Sequence, residues 1–205
     1  DFVSCYLNTA TFRLPERVHS IADKIKERGN LRVVTFRNKR ELRALAPKIG
    51  RAYNNAFVDN WEYVPITDAE LRKIIDDLLS VADPKLIKII MHEDDVVGFL
   101  FAFPDLSAAI QRHKGRLLPV GVVDLLLEYR RTNWVIVNGA GILPQFQGRG
   151  GNALLYSEME KTIKQAGFLH ADLTQVAQTA VQMRRDLENL GGVPYKNHRV
   201  FGREV

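Results

Sequence analysis

The stretch "GAGILPQFQGRGGNALL", Gly139 to Leu155, sets five glycines, one proline and two glutamines between two apolar segments. The run before it, "NWVIVN", has the pattern of a buried strand. The run after it, "ALLYSEMEKTIKQAG", has helical spacing. A strand that opens into glycines and then at once into a helix confines the chain to folds mixing strands and helices. Glycine lets backbone N–H groups come close to a ligand or adopt positive φ. The start of a helix gathers unsatisfied N–H groups and the positive end of the helix dipole. Together they make an anion site, and a phosphate is the first guest to consider.

The elements around this junction define the fold class. Residues 14–28 read as an amphipathic helix stopped by Gly29, and "LRVVTFR" (31–37) as a strand. Asn38 and Glu41 pair as N-cap and N3 before a helix carrying Leu42, Leu45, Ile49 and Tyr53 on one face, with Pro47 and Gly50 weakening it. Thr67 and Glu70 make a second capping box. "KLIKIIMHEDDVVGFLFAFPD" reads as two strands around a turn at Glu93–Asp95. Residues 107–131 hold a helical insert, with "VGVVDLLLEYRR" its clearest part. After the glycine junction come a helix over 151–166 ended by Gly167, the strand "FLHADLTQVA", the helix "AVQMRRDLENLGG" and a last strand, "YKNHRVFGREV". Hairpins alternate with crossovers. The expected class is α/β (α+β), a central mixed, mostly antiparallel twisted sheet with helices on both faces.

Three nucleotide-type readings compete for the glycines. Gly148, Gly150 and Ala153 match G-x-G-x-x-A, and Asp172 follows about 20 residues later, as in a dinucleotide fingerprint. However, Pro144 to Gln147 separate the loop from its strand, and too little chain follows to build a doubly wound sheet. A mononucleotide P-loop needs Lys then Ser or Thr after its last glycine, and here Asn152 and Ala153 follow. The third reading is an acyl-CoA loop. Gln145, Gly148 and Gly150, after a strand ending in "GILP", resemble the signature of the GNAT superfamily of N-acyltransferases, and the ending "LENLGGVPYKNHRVFGRE" resembles that family's last helix and strand. The resemblance covers about residues 31–205. Residues 1–30 then read as a linker and helix, such as would end a preceding domain.

The resemblance implies direct acyl transfer, most simply of an acetyl group from acetyl-CoA to the amine of a small molecule, in a ternary complex and without a metal. The CoA pyrophosphate would lie on the nest from Gln145 through Gln147, Gly148, Arg149 and Gly150 to Gly151 and Asn152. A backbone N–H at Ile142 or Leu143 would polarise the thioester carbonyl. The family's usual tyrosine acid is missing, because Leu187 stands at that position. Tyr195 is the first substitute. Asp172, on one strand face with His170, and Glu128, beside Tyr129, are the candidates for the base. Trp61, Glu62 and Tyr63 would lie where the family's acceptor loop lies. The lost tyrosine also keeps open a non-catalytic, CoA-binding or interaction module.

Bulk properties add limits. One cysteine, Cys5, permits no internal disulfide, and the absence of a long apolar run gives no membrane partner, so a cytoplasmic setting is expected. The net charge of +5 favours anionic ligands. Basic residues scattered among acids, as in "ELRKIIDD", argue against nucleic acid. His92 and His113 read as solvent-facing, no His or Cys cluster has metal-ligand spacing, and a homodimer stays possible.

Overall fold

The computed structural model describes residues 1–58 and 63–203. Its strands are β1 (Phe2–Asn8), β2 (Arg32–Val34), β3 (Ile87–His92), β4 (Asp95–Pro104), β5 (Trp134–Ile142), β6 (His170–Ala177) and β7 (Val193–His198). The helices are α1 (Glu16–Arg28), α2 (Lys39–Phe57), α3 (Asp68–Val81), α4 (Ser107–Arg112), α5 (Gly121–Arg131), α6 (Gly151–Gln165) and α7 (Val181–Asn189). The strands join in one sheet, in the order β2-β3-β4-β5-β6-β1-β7. The pair β5·β6 is parallel, whereas β1·β6, β1·β7, β2·β3 and β3·β4 are antiparallel. The mixed, mostly antiparallel sheet is the one expected.

The chain divides into two compact units. One comprises Leu14–Phe103 and Gly139–Ile163, the other Asp1–Arg13, Pro104–Asn138 and Lys164–Val205. The first is built on β3, β4 and α6. Leu86, Ile89, Ile90, Phe99, Leu154 and Leu155 are among its most deeply buried apolar side chains. The N-caps read from sequence are in place. Asn38 Oδ1 accepts from the Glu41 N–H at 3.0 Å, and Thr67 and Glu70 satisfy each other's backbone N–H groups in a reciprocal box. Gly29 closes α1 at φ 70°, in the left-handed region. β2 is shorter than its sequence suggested, with three residues.

In the other unit the sequence reading misses an element. No strand was assigned to residues 1–13, yet β1 lies between β6 and β7 and pairs with both, from Phe2↔Ala177 to Asn8↔His170 and from Phe2↔His198 to Tyr6↔Val193. Its sequence, FVSCYLN, has a serine and a cysteine where an alternating pattern would need clear polar and apolar partners. Both Ser4 and Cys5 are buried. The Cys5 thiol is pushed up from its ordinary pKa by burial, as suits a small apolar core residue. The helical insert resolves into α4 and α5.

Candidate functional site

β5 carries the glycine junction. Leu143 N–H donates to Val97 O at 2.9 Å, and Gly139 lies against Phe101 further along, so β5 runs antiparallel to β4. The parallel register with β6 runs from Trp134↔His170 to Val137↔Leu173. Two residues later Gly139 takes φ 91°, a conformation that side-chain-bearing residues rarely adopt. A Cβ on Gly141 would stand 2.6 Å from the Phe99 ring. The glycines of β5 therefore admit two stacked rings, Phe99 and Phe101, whose centroids are 4.9 Å apart. Tyr53 and Phe57 join Phe99 at 5.5 and 5.8 Å. The sequence reading had Tyr53 only as a helix-face residue, and nothing in the local pattern marks the phenylalanines as neighbours of the glycines.

Beyond β5 the chain makes a short 3-10 turn, Pro144–Phe146, and enters α6 at Gly151. Gly150 O accepts the N–H of Leu154 at 3.2 Å, which makes Gly150 the N-cap. The two loop glycines differ in what holds them. Gly150, at φ 81°, packs on α1, where a Cβ would be 2.5 Å from Ile25 Cδ1. Gly148, at φ 71°, has open space where its Cβ would be. Gln145, Gln147 and Arg149 are exposed. The Gln147 side-chain amide donates to Ile142 O at 3.2 Å. The Arg149 guanidinium lies 5.1 Å over the Phe146 ring, which also packs on His92 at 5.0 Å. Thus His92 is a ring partner rather than only a solvent-facing residue.

Helix α1 is tied under this loop. Glu160 of α6, 8% exposed, accepts the Leu14 N–H at 3.1 Å and stands 3.1 Å from His19 Nε2. The other ring nitrogen, Nδ1, is 3.1 Å from Ser157 Oγ. Lys26 donates to Glu158 at 2.6 Å. No local pattern marks this clasp, because its partners are 132 positions apart or more.

The proposed acid and base candidates lie in the other unit. Asp172, 6% exposed, accepts from Lys196 Nζ at 3.0 Å through Oδ2, and its Oδ1 is buried without a hydrogen-bond partner. The register between β1 and β7 steps from Ser4↔Lys196 to Cys5↔Pro194, which leaves Tyr195 as the extra residue of a bulge. Burial, with the Asp172 carboxylate nearby, raises the phenol of Tyr195 above its ordinary pKa. Lys196 Nζ sits 4.6 Å over the Tyr195 ring. Tyr6 of the unread strand completes the group. Its hydroxyl is 2.9 Å from His170 Nδ1, and its ring is 5.6 Å from Trp134 and 6.2 Å from Tyr195.

Glu128 is placed elsewhere in that unit. It pairs with Arg112, which also grips Asp124 at 2.9 and 3.0 Å. His113, read as solvent-facing, stands 3.1 Å from Asp124. Leu187 is buried. Trp61 and Glu62 lie outside the described residues, and Tyr63 donates to Asn54 Oδ1 at 2.6 Å. Among the described residues no group of three or more His, Cys, Asp and Glu could hold a metal ion, and no helix is long and apolar enough to cross a membrane.

No family profile matches the chain. It is 29% identical over 154 residues to the bacterial ceramide synthase of Caulobacter vibrioides, an alignment covering 72% of this chain and 40% of that protein. It is 21% identical to protein YghO of Escherichia coli over 211 residues, covering 100% of this chain and 53% of that one. The chain thus spans about half the length of the curated relatives it matches. Among solved structures, a GCN5-related N-acetyltransferase from Sphaerobacter thermophilus superposes with a TM-score of 0.60 at 12% identity, covering 95% of this chain and 48% of that one. The aminoglycoside acetyltransferase AAC(6')-Iy, solved with a CoA-containing bisubstrate analogue, gives 0.52 at 14% identity, with coverages of 85% and 98%. The strand that opens into a glycine-capped helix is, accordingly, part of a chain with the fold of the GCN5-related N-acetyltransferases.

Proposed function

We propose that the chain transfers an acyl group from an acyl-CoA thioester to an amine. One observation carries this reading: β5 runs through a turn into α6 with an open, positive-φ glycine, Gly148, and a glycine N-cap, Gly150. The first turn of α6, from Gly151 on, gathers helix-end N–H groups that would favour an anion. In this reading the pyrophosphate lies there, with Arg149 and the amides of Gln145 and Gln147 at its rim. Leu143 N–H is engaged by Val97 O. Strand alternation therefore leaves Ile142 N–H on the opposite edge of β5, where it can polarise the thioester carbonyl.

The amine nitrogen attacks that carbonyl as a neutral nucleophile, the C–N bond forms, the C–S bond breaks, and the thiolate takes a proton. Tyr195, whose raised pKa keeps it protonated at neutral pH, is the proposed donor. Asp172, with a buried and unpartnered oxygen, is the proposed base. Both carboxylates are ion-paired, Glu128 with Arg112 and Asp172 with Lys196, and Glu128 is the second choice because Asp172 keeps a buried oxygen without a partner. The simplest substrates remain acetyl-CoA and a small amine. The name of the Caulobacter relative, a ceramide synthase, favours a second reading in which the amine belongs to a lipid and the acyl chain is longer.

The cleanest test substitutes Gly148, because Gly150 is also required for packing on Ile25. Asp and Asn both tolerate positive φ. Gly148→Asp puts a like charge against the pyrophosphate, and Gly148→Asn is its neutral control. Calorimetric titration with acetyl-CoA should give at least tenfold weaker binding for the Asp variant than for the Asn variant. Equal affinities would remove the pyrophosphate from this loop. Thiol release with a panel of soluble and long-chain amines then separates the two acceptors. Tight CoA binding with no release for any amine would favour a non-catalytic CoA-binding module.

A further inference from the structure

Helix α5 is amphipathic the wrong way round. Its carboxylates, Asp124 and Glu128, one turn apart, turn toward α4, where Arg112 grips both and His113 stands 3.1 Å from Asp124. Its apolar side chains face out instead: Val123 is 56% exposed and Leu126 65% exposed. The turn that leads into the helix extends the same apolar surface, with Leu118 81% and Val120 60% exposed. A helix that saves its ion pairs for the inside and gives its leucines to solvent is built to cover those leucines with something apolar.

The charge around the patch says what. Residues 107–131 hold five Lys and Arg against two carboxylates, and both carboxylates are taken by Arg112. Lys114, Arg116, Arg130 and Arg131, in the same segment as the leucines, are exposed. Apolar side chains ringed by basic ones, on a short helix with no exposed acid, are the signature of an element that lies in the interface of an anionic bilayer. We propose that α5 and the turn before it dock this chain on an anionic membrane surface, leucines in the acyl region and the four basic residues at the phosphates. This departs from the expectation of no membrane partner. It concerns a surface, so its failure would leave the acyl-transfer reading intact.

The test is co-sedimentation with vesicles of phosphatidylcholine alone and of phosphatidylcholine mixed with an equal part of phosphatidylglycerol. The wild type should pellet with the anionic vesicles, weakly with the neutral ones, and less as salt is raised. Leu118→Asp combined with Leu126→Asp should weaken binding at least tenfold. The milder Leu126→Gln should weaken it in the same direction. Val64→Asp, at an exposed position outside the patch, should bind as the wild type does. Thermal melting of each variant checks that it is folded. A wild type that stays in solution with anionic vesicles overturns the proposal, as does a folded double variant that pellets undiminished. A concentration-dependent dimer abolished by the double variant, with no vesicle binding by either protein, overturns it in favour of a contact between two copies of the chain.

Discussion

Tyr195 shows how much one bulged residue can decide. It is the extra residue between Pro194 and Lys196, so its side chain leaves the regular alternation of β7. Burial raises its pKa, and it stays protonated through neutral pH. If it protonates the departing thiolate, Tyr195→Phe should lower kcat by about 100-fold to 10,000-fold with CoA affinity nearly unchanged. The alkaline limb of the wild-type kcat profile should lie above the ordinary tyrosine value of 10.0 and vanish in the variant. A phenylalanine variant turning over at the wild-type rate would make the residue structural. Restoring the family tyrosine at Leu187 is a poorer experiment than the sequence suggests. Leu187 is buried, and its carbonyl accepts the Gly192 N–H at 2.9 Å. A larger ring there overpacks the site, at a cost of about 1–3 kcal/mol.

At the scale of elements, two buried charges fasten α6. Lys88 of β3, 2% exposed, donates to Thr162 at 2.7 Å, and burial lowers its pKa from 10.5. A lysine whose folded pKa is depressed binds fewer protons folded than unfolded, between the two values. Stability should therefore rise with pH from the lowered pKa up to 10.5. Lys88→Met should abolish that slope in denaturant titrations run across this range, and should be neutral or stabilising below it. Removing the buried Glu160 carboxylate, in contrast, should destabilise the fold. Glu160→Ala removes the carboxylate that the Leu14 N–H and His19 Nε2 face, and should cost about 1–3 kcal/mol of unfolding free energy. Because Gly150 packs on α1, CoA binding should weaken in the same variant, which calorimetry reads directly. The helix caps and the glycine junction were legible in the sequence because each is a local pattern with a local physical cause. The Lys88–Thr162 and Glu160–Leu14 bonds were not, because they join residues 74 and 146 positions apart. Likewise, the partners of Asp172 and Glu128 are set by β1·β7 pairing and by the α4–α5 contact, and no spacing rule announces either.

At the scale of the whole chain, the first eight residues carry more of the fold than their composition suggests. β1 is hydrogen-bonded on both sides, to β6 and to β7, and both pairings are antiparallel. Without it, β6 would present an unpaired edge and the outer strand β7 would lose its strand partner, and sheet edges of this kind invite aggregation. β1 also brings Ser4 Oγ to His198 Nε2 at 3.1 Å and Tyr6 to His170. A linker could be removed without consequence, whereas an interior strand could not. Deleting residues 1–9 should abolish cooperative unfolding of the strands that β1 joins and drive the protein into aggregates, seen as loss of the near-ultraviolet signal of Trp134 and Tyr195. A synthetic peptide of residues 1–9, added during refolding, should restore that signal by strand addition, since its two ladders supply most of what it needs to bind. A truncated chain that melts at the full-length temperature would return residues 1–9 to the status of a linker. Rescue by the peptide but not by one carrying Ser4→Pro would locate the effect in the ladder itself, because proline removes a donor that an interior strand requires.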